Sequence, residues 1–312
     1  MEGSLNELYR ALKISRQSVH QRINREQKMH LYEHQLLFLV YEVRQEHPTM
    51  GARDMYYLLE PSFIGRDRFE SFCKLHGLVS ERPVNYRRTT NSSGVIRFEN
   101  LTINLKLNSI NQLWVSDITY YQVKDVFYYL TFIMDGYSRV ILGYQVSKKL
   151  FTEQTTLPAL QKAIKFRKGK GLKGTILHSD GGGQYYDKAF LEKTKQLGII
   201  NSMCEYPWEN GKAERINGVI KNNYLRHRTI NNFSELVKEV DRAIKLYNEK
   251  KPHIALNRVS PLNFENRILQ KGKHPTVRSQ RRNISISNRR DKSALRAEGK
   301  TSSSSNITQE YN

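Results

Sequence analysis

A change of hydrophobic period near residue 111 constrains the fold more than any other feature of the chain. Before it, apolar residues recur at helical spacing. After it come three β-rich runs, NQLWVSDITYYQV, VFYYLTFIMD and RVILGYQVSKK, parted only by a turn at Lys124–Asp125 and by the short DGYS segment. Connections that short join antiparallel neighbours. The pattern then alternates. TEQTTLPALQKAIKFRK reads as a helix with Thr152 as its N-cap, GTILHSD as a strand, YYDKAFLEKTKQLG as a helix and IINSMCEY as a strand. A long helical stretch begins near Asn210, and NFSELVKEVDRAIKLYNEK forms a further helix running to Pro252.

Three antiparallel strands followed by helix–strand–helix–strand–helix is the order of a ribonuclease H-like core. The expected fold is therefore α/β, with a mixed five-stranded sheet over residues 109–270. The segments ahead of it are all-α. Residues 1–30 hold a helix–turn–helix pattern, with Leu5, Leu8 and Leu12 on one helical face and Ser15 placed to cap a second helix. That spacing turns Arg16 and Arg22 outward, toward DNA or toward plain solvent. Residues 31–80 form a second helical unit. Its first helix stops near Pro48, and its last ends at Gly77 and carries Arg66, Arg68 and Lys74 on a basic side. Residues 81–108, with Pro83 and an NSSG run, read as a linker. Residues 271–312, with ten Lys or Arg against three Asp or Glu, read as a basic disordered tail.

The formal net charge of +21 favours a polyanionic partner, most commonly nucleic acid. Only Cys73 and Cys204 are present, without metal-ligand spacing, which excludes a cysteine zinc site and suggests two buried thiols. No apolar run is long enough to span a bilayer, and the N-terminus lacks a signal-peptide core, so a cytoplasmic, nucleoid-associated protein is expected.

Three acidic residues stand in distinctive settings: Asp117 in WVSDITYY, Asp180 in ILHSDGGGQY and Glu214 in ENGKAERINGVIK. A charge in the apolar strand around Asp117 is costly unless it meets a cation or water. Glycines after Asp180 allow a sharp turn and a close ligand. In a helix, Glu214, Asn217 and Lys221 share one face. Three such carboxylates can converge on two divalent ions that act on a phosphodiester. Glu205, Glu209 and Asp187 are rival third carboxylates, Glu209 foremost. Lys221, Arg215 and Lys212 are expected DNA contacts on the same helix. His178 reads as a satisfied buried histidine, Asp135 as a turn residue with nearby Arg139 as a candidate partner, and Trp208 as either a base-stacking or a packing residue.

Taken in order, WVSDITYY, MDGYSRVILGYQV, LHSDGGGQYYDKAFLEKTKQLGIINSM, NGKAERINGVIK and YNEKKPHIALNRVSP resemble the DDE transposases of bacterial insertion sequences, in the insertion sequence three family, whose core is shared with retroviral integrases. The resemblance is strongest over about residues 110–265. It implies that Asp117, Asp180 and Glu214 form the catalytic triad, that the cofactor is magnesium or manganese, and that the substrates are the element's terminal inverted repeats and a target DNA. It further implies a homodimer or higher oligomer on DNA and an upstream-frame partner protein. Two features depart from the family pattern. Thirty-three residues separate Asp180 from Glu214 where thirty-five are usual, and GGGQY stands where RGSQY is frequent. The alternative is a DNA-binding regulator or decayed transposase without catalysis.

Overall fold

The computed structural model describes residues 5–79 and 98–271. The expected linker at 81–108 therefore lies mostly outside the described residues, as does nearly all of the tail at 271–312. The core sheet comprises β1 (Leu113–Val123), β2 (Val126–Asp135), β3 (Ile141–Ser147), β4 (Ile176–Ser179) and β5 (Ile200–Met203). Its order is β3-β2-β1-β4-β5, antiparallel among the first three strands and parallel from β1 through β4 to β5. This is the mixed five-stranded sheet of a ribonuclease H-like α/β fold.

Side chains alternate across a strand with period two, and β1 shows the consequence. Leu113, Val115 and Val123 enter a core shared with α7 (Gly211–Gly218) and α8 (Phe233–Glu249). Trp114 enters the opposite core, with α5 (Thr156–Phe166) and α6 (Lys188–Gln196). Helices thus cover both sheet faces. The close approach of α5 depends on Gly143 in β3: a Cβ there would stand 2.1 Å from the Ala159 carbonyl oxygen and 2.7 Å from the Ala163 nitrogen.

Ahead of the sheet run α1 (Leu5–Ala11), α2 (Arg16–Glu46), α3 (Ala52–Leu59) and α4 (Arg66–Leu75). The Ser15 side chain accepts a hydrogen bond from the Ser18 N–H, and Gly77 ends α4 in the left-handed region at φ 65°, as their positions in the sequence suggest. Two expectations are corrected. A single 31-residue helix, α2, passes through residue 30, where the sequence reading parts two helical units; no breaking residue stands between Ser15 and Pro48. Thr152 opens a short 3-10 turn, and α5 starts four residues later.

The helical unit has its own core around Leu36, Met55, Phe69 and Phe72. It is tied to the half that holds the sheet where α2 ends. His47 Nδ1 lies 3.0 Å from the Tyr224 hydroxyl, Lys250 pairs with Glu46 at 2.6 Å, and Arg258 pairs with Asp54 at 2.8 Å. A last helix, α9 (Pro261–Lys271), follows a 3-10 turn at Ile254–Leu256. No helix among the described residues is long and apolar enough to cross a membrane.

Overpacking a tight contact costs about 1–3 kcal/mol. Gly143→Ala is accordingly expected to lower unfolding free energy by that amount in urea denaturation, because backbone atoms of α5 cannot yield as a flexible side chain could.

Candidate active site

The β1–β4 register sets the site. Val115 pairs with His178, an offset of 63 residues. The same offset carried two residues on brings Asp180, just past the end of β4, level with Asp117. Adjacent strands lie about 4.8 Å apart, so two carboxylates emerge side by side. Both share the parity of Val115, whose face meets α7. That helix carries Glu214.

Specific hydrogen bonds orient each group. The Ile118 N–H donates to Asp117 Oδ1 at 2.9 Å, and the Asn217 side-chain amide donates to Oδ2 at 2.7 Å. The Gly182 N–H donates to Asp180 Oδ1 at 3.2 Å. Gly181 makes that turn possible. It sits at φ 79°, and a Cβ there would stand 2.2 Å from the Met203 terminal methyl. Asn210 secures the approach to α7 by donating to the Ser116 carbonyl at 3.0 Å.

The electrostatics are those of crowded anions. Desolvation raises the Asp117 pKa most, and Asp180 and then Glu214 raise it further, to about 8. Asp180 is also raised, by desolvation, although one side of it opens to solvent. Lys221 is the cation that offsets Asp117, and only partly; its ammonium donates to the Thr119 hydroxyl at 2.7 Å and lies 5.5 Å from the Tyr120 ring. Glu214 is exposed and acts on Asp117 less strongly than Asp180 does. Like charges repel at such range. Among the described residues no three Asp, Glu, His or Cys side chains stand close enough together to grip one ion in common. The structure thus joins Asp117 to Asp180 and brings Glu214 to their edge. Hard carboxylate oxygens with a net negative charge suit a divalent cation such as magnesium.

The rival carboxylates are engaged elsewhere. Asp187 caps α6, accepting from the Ala189 N–H at 2.8 Å. Glu209 accepts the N–H groups of Glu205 and Tyr206 at 2.7 and 3.0 Å, closing the loop before α7. Glu205 stays on that exposed loop. His178 is buried with Nδ1 3.0 Å from the Ser202 hydroxyl, and burial lowers its pKa to about 4, as befits a structural histidine. Trp208 is exposed and stacks on Tyr206 with centroids 4.6 Å apart. Both cysteines are buried free thiols.

Asp135 exceeds the turn role read from its sequence, and its partner is corrected. It is fully buried, accepts the N–H groups of Asn111, Tyr137 and Ser138, and pairs with Arg167 at 3.2 Å, with no ion pair to Arg139. Arg167 also pairs with buried Glu265 of α9. Sequence spacing gave no sign of this network, because its partners lie 32 and 98 residues apart.

The expected DNA contacts fall in separate places. Lys221 adjoins the carboxylates, whereas Lys212 and Arg215 lie on the other flank of α7. Arg16 and Arg22 are exposed on α2; Arg66, Arg68 and Lys74 are exposed on α4. Arg22 pairs with Glu26 and Arg66 with Asp67.

Two family models, each described as an integrase core domain, match residues 108–206 and 196–261. Among curated proteins, the chain is 29% identical to the insertion element IS600 uncharacterized 31 kDa protein of Shigella sonnei, over 71% of this chain and 83% of that one. It is 26% identical to the transposase for insertion sequence element IS629 of the same organism, over 71% and 75%. It is 30% identical to transposase InsF for insertion sequence IS3A of Escherichia coli K12, over 60% and 64%. Among solved structures it is similar to the HTLV-2 integrase catalytic core domain in complex with magnesium, at 22% identity and a TM-score of 0.41, over 50% of this chain and 96% of that one.

A carboxyl group whose pKa is raised from 3.8 in the unfolded chain to about 8 in the folded one holds its proton longer when folded. Its contribution to stability is complete below pH 3.8 and is lost as pH rises toward 8. Asp117→Asn should therefore melt progressively higher than the parent, in chelator, as pH goes from 5 to 8. Buried His47, His178 and His253, each lowered to about 4, act with the opposite sign and cancel in the difference. A melting difference independent of pH would refute the raised pKa.

Proposed function

We propose that the chain is a DDE transposase of insertion sequences with Asp117, Asp180 and Glu214 as its catalytic triad, cutting the ends of a mobile element and joining them to target DNA. The observation that carries this reading is the β1–β4 register, which sets two carboxylates level on the sheet face that α7 covers. Divalent metal, magnesium or manganese and two ions in all, would be held by the triad; when bound it activates the attacking water or 3′-hydroxyl and stabilises the leaving oxygen.

The chain's own residues position the substrate and shape the site. The Asn217 amide fixes the rotamer of Asp117. Lys221, at the edge of the carboxylates, is suited to a DNA phosphate that enters the site. No covalent enzyme intermediate is needed. The nearby hydroxyls of Ser116 and Tyr185 lie 2.8 Å from each other, bonded together on the opposite face of the sheet.

DNA is the partner. The finer reading adds an oligomer on paired element ends and an upstream-frame protein, with Arg16, Arg22, Arg66, Arg68 and Lys74 of the helical unit supplying contacts outside the active site. The integrase-type core proposed from the sequence at 109–270 is kept on this reading; the division at residue 30, which α2 crosses, is not.

The test is cleavage and joining of labelled element-end DNA in magnesium. Asp117→Asn, Asp180→Asn and Glu214→Gln should each retain DNA binding and lose roughly 10²–10³-fold or more in rate, the scale for losing one group that stabilises transition-state charge. Full activity of Glu214→Gln would remove it from the triad. A wild type that binds element ends and never cuts them, with any upstream-frame protein supplied, would favour the regulator reading.

A further inference from the structure

Helix α7 has two flanks, and only one faces the carboxylates. At 100° per residue, Glu214 and Asn217 lie on one side of the buried stripe formed by Ala213 and Ile216, and Lys221 of the π segment that follows reaches Thr119 on that same side. Lys212 and Arg215 lie on the other. On that second flank is an open cleft of ≈ 290 Å³, between the β2–β3 turn, the first turn of α7 and the 255–264 segment. Arg139 and Lys212 supply its charge; Leu107, Leu256 and Phe264 form apolar walls.

No carboxylate forms an ion pair with these cations among the described residues. Arg139 is held at φ 64° in the β2–β3 turn, with its N–H on the Asp135 carbonyl at 2.9 Å. The Asp135 carboxylate nearby is engaged by Arg167 and three backbone N–H groups. Among the described residues, Arg139, Lys212 and Arg215 make no ion pair and no side-chain hydrogen bond. Burial lowers the pKa of Arg139 and of Lys212; Tyr247 and Asp135 offset part of this at Arg139 while Arg215 adds to it, and Arg139 lowers Lys212 further. Half-buried like charges without partners are unfavourable until an anion joins them.

We propose that this cleft is a phosphate site for a nucleic-acid strand, with Arg139 and Lys212 holding one backbone phosphate and Arg215 steering it from the rim. The inference rests on DNA being the substrate. A guanidinium offers the planar fork that phosphate oxygens accept in pairs. The cleft is at the lower bound of small-molecule pockets, so it suits a phosphate with part of its sugar. A helix is about 10 Å wide, so a strand crossing α7 would meet Lys221 on one flank and this cleft on the other, which fixes its path across the active site.

The test is the salt dependence of binding to a labelled duplex of about 40 base pairs, with the full chain as wild type, Lys212→Gln, Arg139→Gln and the double variant. Lys188→Gln, on exposed α6, controls for loss of charge alone. Each single variant in the cleft should bind several-fold more weakly near 100 mM salt and flatten the log–log salt slope by about 1, the double variant by about 2. A double variant with the wild-type slope overturns the proposal. If Arg139→Gln fails to fold, Lys212→Gln on its own helical turn decides. A cleft that binds adenosine monophosphate in the wild type, with the duplex slope unchanged in the double variant, would also overturn it and reassign the cleft to a free nucleotide. A wild type that neither binds nor cuts any duplex defeats the functional reading itself, an outcome distinct from a failure confined to the cleft.

Discussion

The parallel pairing of β1 with β4 places charge where charge is least comfortable. Parallel neighbours need a long crossover, and here α5 provides it, packed on β3 through Gly143. The reward for that topology is a fixed register between residues more than sixty positions apart. Asp117 and Asp180 come level, on a face whose next layer is α7. Everything else in the site answers the strain of holding two carboxylates together. Asn217 and Ile118 bond Asp117, Gly182 bonds Asp180, and Lys221 stands near enough to offset part of the repulsion. What these groups leave uncompensated is the negative charge that suits a divalent cation.

Helix α7 then organises the surroundings from its two flanks. One flank delivers Glu214 and Lys221 to the carboxylates. The other carries Lys212 and Arg215 to a cleft of opposite charge. Beyond Gly218 the helix widens to π geometry over Val219–Tyr224, a form frequent at functional sites. That wider turn ends at Tyr224, whose hydroxyl meets His47 at the end of α2. The helix that carries Glu214 is therefore continuous with a segment in direct contact with the helical unit proposed to hold DNA.

Local pattern made much of this readable in the sequence. The three-strand meander, the alternating helices and strands, and the positions of Asp117 and Asp180 at strand and strand end follow from period-two alternation and turn residues. Glu214, Asn217 and Lys221 share a face because helical spacing requires it. What escaped the sequence was long-range. Arg167 rather than Arg139 meets Asp135, and Glu265 completes that network from α9, because packing rather than spacing chooses those partners. The continuity of α2 was hidden because its middle lacks a strong apolar stripe. The roles of Asp187 and Glu209 as caps emerged only once the turns they close were visible, and that is why Glu214 is the third carboxylate proposed.

On the reading proposed above, Asp117 and Asp180, brought level by the sheet, form a cation site completed by Glu214. The most direct test is manganese titration of the full chain, followed by the relaxation of water protons, for wild type and for Asp180→Asn. The wild type should bind manganese saturably and the variant should lose that binding. Equal binding by both proteins, or none by the wild type even with element-end DNA present, would contradict this reading.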